Sequence, residues 1–151
     1  MDIREDDLTG DATLALIATH LAGMRANSPE ESVHALDVAA LRAESVTFFS
    51  AWAGDDVAGI AALKVLGGGR GEIKSMRVDD RFLGRGVGRA LLRHILTVAR
   101  ERGMSSLWLE TGSTDDFLAA RRLYASEGFV ECEPFDDYVL DPFSTFMTRG
   151  L

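Results

Sequence analysis

The chain has 151 residues, 46% of them hydrophobic and 26% charged, with a net charge of −8. These values fit one ordinary globular domain, 1–151, and exclude a disordered chain or a general nucleic-acid binder with an extended basic face. No apolar run approaches the ~20 residues that cross a bilayer, and the single cysteine, Cys132, excludes an internal disulfide.

In chain order, Asp2–Asp7 is expected as a short first strand. Asp11 is suited to cap a helix reaching about Arg25, with Leu14, Ile17, Ala18 and Leu21 facing inward. A second helix would open with Ser28 as cap, Pro29 in the first turn and Glu31 at the third position, and run through His34, Leu36, Val38 and Leu41. The period then changes to two. Runs 45–54 and 56–66 are β-rich and separated by Gly54-Asp55, a hairpin signal. Gly67–Gly69 turn the chain into a third antiparallel strand, Glu72–Val78. A glycine-rich loop, 79–88, leads into Val87–Arg102, where Val87, Leu91, Ile95 and Val98 return to helical spacing. Gly103 closes that helix. Ser105–Thr111 is expected as a buried strand carrying Trp108, and Asp115–Glu127 as another helix. Phe129–Cys132 and Ser144–Thr148 are the last two strands, joined by an acidic loop. Mixed strands with helices between them predict a single α/β (α+β) domain.

The loop before the long helix concentrates the chemistry. Gly84, Gly86 and Gly88 let a ligand approach the backbone, with amide N–H groups facing it as the helix starts. Residues 77–102 hold seven arginines and three acids, a local charge of +4, which leaves −12 on the rest of the chain. A basic, glycine-lined helix start suits a phosphate or pyrophosphate. It is neither a dinucleotide fingerprint, because Arg89 and Leu91 stand where glycine is needed, nor a P-loop, because the chain has no Gly-Lys pair.

The order of strand, LGRGVG, amphipathic helix, strand and AARRLYASEGF resembles the GNAT superfamily of acyl-coenzyme A-dependent N-acyltransferases. The phrases GEIKSMRV, LETGS, GFVECEPFDDY and DPFSTFM are similar to one bacterial subgroup of N-acetyltransferases, and the likeness covers about residues 28–151. It implies the GNAT fold, a mixed twisted sheet of six to seven strands splayed in the middle and flanked by about four helices. It also implies acetyl-CoA as co-substrate, held by the loop Leu83, Gly84, Arg85, Gly86, Val87, Gly88 and Arg89, and by a strand bulge at Met76, Arg77 and Val78. Leu83 departs from the Gln or Arg usual at its position, and Phe117 from an asparagine that touches the pantetheine arm. Tyr124 falls where the family places a general acid beside the coenzyme A sulfur.

Acetyl transfer also needs a neutral amine. Glu72 and Glu110, on strands expected side by side, are the candidate bases, with a structural ion pair to Lys74 or a nearby arginine as the alternative for either. His20 and His34 are read as helix-face residues. The loop around Glu131, Glu133, Asp136, Asp137 and Asp141 is a solvated face or an attractor of cationic amines, with Phe135 and Tyr138 able to cover the acceptor. Cys132 has no evident activating base, so direct transfer without a covalent enzyme intermediate is expected. The resulting expectation is an enzyme that acetylates a primary amine of a small molecule, with no metal, nucleic-acid or membrane partner. Its N-terminus lacks a signal-peptide layout, so a cytoplasmic location is expected. GNAT relatives are often dimers, which makes a homodimer one expected state. The rival readings are a non-catalytic acyl-CoA-binding regulatory module, or a GNAT enzyme acting on a peptide or protein amine.

Overall fold

The computed structural model describes residues 1–29 and 37–151. In chain order it runs β1 (Asp2–Glu5), α1 (Asp11–Asn27), α2 (Val38–Leu41), β2 (Val46–Ala53), β3 (Asp56–Gly67), β4 (Arg70–Val78), α3 (Val87–Glu101), β5 (Ser106–Gly112), α4 (Leu118–Ser126), β6 (Val130–Cys132) and β7 (Ser144–Gly150). The seven strands form one sheet in the order β1-β2-β3-β4-β5-β7-β6. Every neighbouring pair is antiparallel except β4 and β5. The expected mixed α/β architecture is the observed one.

β2 and β3 lie at the centre of a three-layer stack, and their period-two pattern feeds both faces. Phe49, Ala61 and Leu63 join Leu91, Leu92 and Ile95 of α3 in one core. Phe48, Ile60 and Ala62 join Leu16 and Ile17 of α1 and Leu41 of α2 in the other. This explains why β3 reads as an almost unbroken apolar run: Val57–Leu63 is buried on both sides. α3 is the most clearly amphipathic helix, with Val87, Leu91, Leu92, Ile95, Leu96 and Ala99 buried along one stripe.

Two expectations for the first helix are corrected. Gly10, not Asp11, takes the cap position. The buried face is Thr13, Leu16, Ile17 and His20, whereas Ala18 is exposed. Apolar residues surround α1 on nearly every side, so spacing alone did not select the face that the sheet covers. The second predicted helix falls largely on residues 30–36, outside the described residues; its described end is the short α2, capped by the Asp37 side chain accepting from the Ala40 N–H. The Asp115–Glu127 helix begins as a 3-10 turn over Asp115–Phe117 before α4.

The sheet opens between β4 and β5. Their parallel pairing runs from Arg70–Ser106 to Ile73–Leu109 and then stops. β5 continues beside β7 as far as Gly112, paired with Ser144. β4 instead stays with β3, with a register shift between Ile60 and Ala62 that places Ser75 and Met76 opposite Ala61. Ser75 has φ of 56°, the left-handed geometry of a bulge. The extra residue bends β4 away from β5, and a cleft opens where their hydrogen bonds end.

Candidate active site

A cavity of about 530 Å³ fills this cleft and is lined from both faces of the sheet. On the α3 side it meets Leu83, Gly84, Gly86, Gly88, Leu123 and Tyr124. On the α1 side it meets His20, Asn27, Glu72, Lys74, Glu110 and Tyr138. The cleft therefore brings groups from both faces of the sheet to the border of one cavity.

The α3 side is built to meet an anion through its backbone. Gly86 caps α3 with φ of 81°, and no side chain caps the helix. The first intrahelical bond runs from the Ala90 N–H to the Gly86 carbonyl. The N–H groups of Val87, Gly88 and Arg89 are therefore among the helix donors without an intrahelical acceptor. A Cβ on Gly84 or Gly86 would meet no atom within 4 Å, so space in front of the loop is open, although their positive φ disfavours any side chain. Met76, Arg77 and Val78 line the cleft, but the bulge itself falls at Ser75 and Met76, earlier in β4 than expected.

The arginines of the basic turn are less available than their number suggests. Arg81 pairs with Asp79 and Asp56, and Arg89 and Arg93 both pair with Glu127 of the α4 terminus. Arg102 pairs with Glu5. Arg85 has its guanidinium 5.5 Å from the centre of the Phe82 ring. Much of the local charge thus ties α3 to its neighbours. Arg89 can serve a ligand through its N–H while its side chain is held elsewhere. Leu83 is 62% exposed at the cavity mouth.

Tyr124 projects from α4 to the cavity floor. It is buried and packs against Phe129, and its hydroxyl lies 3.7 Å from Met76 Sδ, a weak contact. Burial, with the charge of Glu110 added, holds its phenol well above the usual tyrosine range. It is a neutral O–H donor facing the cleft. Phe117 lies over the backbone of Gly112, so close that any Cβ there would overlap its ring.

Glu72 and Glu110 both line the cavity, and their surroundings differ. Glu72 is buried, accepts from the Tyr138 hydroxyl at 2.6 Å and from Lys74 Nζ at 3.2 Å. Lys74 also donates to the Tyr138 oxygen at 2.7 Å, closing a three-membered clasp. Glu110, opposite Phe146 on β7, forms no salt bridge among the described residues. Burial raises its carboxyl to about 7, offset in part by Ser144 and Lys74. The ion-pair alternative therefore describes Glu72, whereas Glu110 is a buried carboxyl with a raised pKa.

The acidic loop does more than face solvent. Phe135 is buried among Trp108, Tyr138 and Phe146, which anchors the loop to the α1 face of β5 and β7. Asp136 and Asp137 remain exposed. His20 is a site residue whose position spacing did not reveal: it is buried at the cavity wall, and burial with the nearby Arg77 lowers its pKa to about 4. His34 lies outside the described residues. The Cys132 thiol is pushed up by burial and by Glu133, which makes it a poorer nucleophile. No cluster of metal-ligating side chains occurs among the described residues, and no helix among them is long and apolar enough to cross a membrane.

The model of the acetyltransferase (GNAT) family matches residues 14–129. The chain is 52% identical to the N-acetyltransferase YedL of Escherichia coli, itself uncharacterized, over 99% of this chain and 94% of that one. It is 50% identical to the likewise uncharacterized N-acetyltransferase YsnE of Bacillus subtilis over the full length of both. Among solved structures, a Klebsiella pneumoniae protein provisionally described as an acyl-CoA N-acyltransferase superposes with a TM-score of 0.81 at 27% identity, covering 99% of this chain and 97% of that one. A Bacillus subtilis acetyltransferase in complex with CoA shares the fold, with a TM-score of 0.70 at 19% identity over 99% and 97% of the two chains.

Proposed function

Since this chain belongs to the GNAT acetyltransferase family and is an acyltransferase, we propose that it carries an acetyl group from acetyl-CoA to a primary amine of a small molecule, directly within a ternary complex. The observation that carries this reading is one cavity that joins an uncapped helix start, a buried neutral tyrosine and a poised carboxylate.

Acetyl-CoA suits the residues present. Its pyrophosphate would take the free N–H groups at Val87–Arg89, and its pantetheine arm would follow the β4 segment exposed by the bulge. An alkyl ammonium has a pKa of ~10, so one proton must leave before nitrogen can attack. Glu110, close to half ionised near neutrality, is the group placed to accept it, directly or through water. The amine nitrogen then bonds to the thioester carbonyl carbon, the C–S bond breaks, and the sulfur leaves with the bonding pair. Tyr124 gives its proton to that sulfur, and the second proton, shed by the acylated nitrogen, restores the phenol directly or through water. The raised Cys132 thiol supports direct transfer over an acetyl-cysteine route.

Calorimetric titration with acetyl-CoA tests the donor half. Saturable binding is expected in the native protein and is lost in Gly86→Glu, which puts a carboxylate where the phosphates would lie. A small-amine panel scored by thiol release tests the acceptor half. Tyr124→Phe is expected to lower kcat roughly 100-fold while acetyl-CoA affinity is kept. Acetylation of peptide amines but of no small amine would overturn the small-molecule assignment.

A further inference from the structure

The α1 wall of the cavity carries polar groups that have no partner among the described residues. The Arg77 side chain leaves β4 and rests against α1, where a Cβ on Gly23 would stand only 2.7 Å from Nη1. The missing side chain at Gly23 is thus what lets the guanidinium lie there. Unlike Arg81, Arg89, Arg93 and Arg102, it has no carboxylate partner among the described residues. A half-buried guanidinium without a counter-ion is costly unless a ligand supplies one.

A second observation points the same way. His20 is 7% exposed, lines the cavity, and its Nδ1 has no hydrogen-bond partner among the described residues. His20, Gly23 and Asn27 are spaced three and four residues apart and share one face of α1. Burial and the Arg77 charge keep the imidazole neutral at pH 7, so it offers one N–H and one lone pair. The Arg77 guanidinium and the His20 imidazole, neither paired with a carboxylate among the described residues, therefore border the same space as the Asn27 amide, with Glu110 also on the cavity wall.

We propose that the acceptor is an amino acid or similar amine bearing a carboxylate, with the carboxylate docked between Arg77 and His20 and the amine directed to Glu110. Glu110, when ionised, repels the carboxylate end and accepts a proton from the amine end, which sets the direction of binding. This rests on the small-amine acetylation proposed above and names the substrate class for it.

The test has a kinetic arm and a spectroscopic one. Phenylalanine, leucine, methionine and aspartate are compared as acceptors with their α-amides, which lack the carboxylate. The free acids are expected to be preferred, although the more easily deprotonated amides are the easier nucleophiles. Arg77→Met is expected to raise the acceptor KM roughly 10- to 100-fold, and Arg77→Lys to recover part of the loss. In the second arm, the His20 ring resonance of the coenzyme A-bound protein is followed by NMR as each acid or amide is added. The acids should shift it, the amides should not, and Arg77→Met should abolish the response. Equal use of acids and amides, or a His20 response that survives Arg77→Met, overturns the carboxylate subsite. If no small amine is acetylated, the transfer reading fails, and the NMR titration alone decides whether the subsite binds carboxylates.

Discussion

Glu72 and Glu110 stand on adjacent strands and line one cavity, yet only the second is left without an ion-pair partner among the described residues. Desolvation is the main cause of the raised Glu110 carboxyl, and this has two consequences of opposite sign. With Glu110 as the proposed base, catalysis needs its ionised form, so kcat/KM should climb as pH rises through about 7. Glu110→Gln should remove that limb and lower the plateau roughly 100-fold or more, seen in a pH–rate profile. Stability moves the other way. A carboxyl with a folded-state pKa above its unfolded value binds more protons when folded, so stability falls as pH rises from the ordinary carboxylate range through about 7. Glu110→Gln should therefore flatten the loss of unfolding free energy between pH 5 and 8, by on the order of 2 kcal/mol after allowance for partial solvation, as measured by denaturant unfolding.

At the scale of single elements, α3 serves both the core and the donor site. Its stripe from Val87 to Ala99 is buried, and its first turn is uncapped toward the cleft. That placement requires a close approach to β3: a Cβ on Gly59 would lie 2.8 Å from Val87 Cγ1 and 2.9 Å from Leu91 Cδ1. Gly59→Val should push the start of α3 outward. We expect a loss of about 1–3 kcal/mol in urea denaturation, with weaker acetyl-CoA binding in calorimetry. The β4 bulge is the complementary device. With Ser75 and Met76 set against one residue of β3, the strand leaves β5 at Ile73 and exposes its backbone.

Across the whole molecule, the C-terminal loop is fastened to the sheet at the floor of the proposed acceptor side. Tyr138 reaches Glu72 and Lys74 of β4, while Phe135 packs beside Trp108 and Phe146 of β5 and β7. The clasp thus links the two halves of the split sheet on one face. Lys74 and Glu72 are 9% and 2% exposed, so removing one charge leaves the other buried. Lys74→Met is expected to cost about 3 kcal/mol, whereas the double variant Lys74→Met/Glu72→Gln should regain most of it. Denaturant unfolding of the pair against the singles measures this coupling.

The sequence by itself determined the order and type of most elements. It marked the Gly54-Asp55 hairpin, the one-sided stripe of α3 and the glycines at its start, because these depend on local periodicity and backbone freedom. It also brought Tyr124, Glu72 and Glu110 forward as candidates. What it left open depended on contacts between distant segments. α1 is apolar nearly all round, so only the sheet beneath it chose the face that buries His20. The arginines near the loop looked like one basic site, but Glu127, Asp56 and Glu5 from elsewhere in the chain pair with four of them, Arg81 also pairing with its neighbour Asp79. Glu72 and Glu110 both read as strand carboxylates; tertiary packing gave the first a lysine and a tyrosine, and left the second to desolvation. Charge pairing and burial are properties of the folded neighbourhood, and a linear pattern does not contain them.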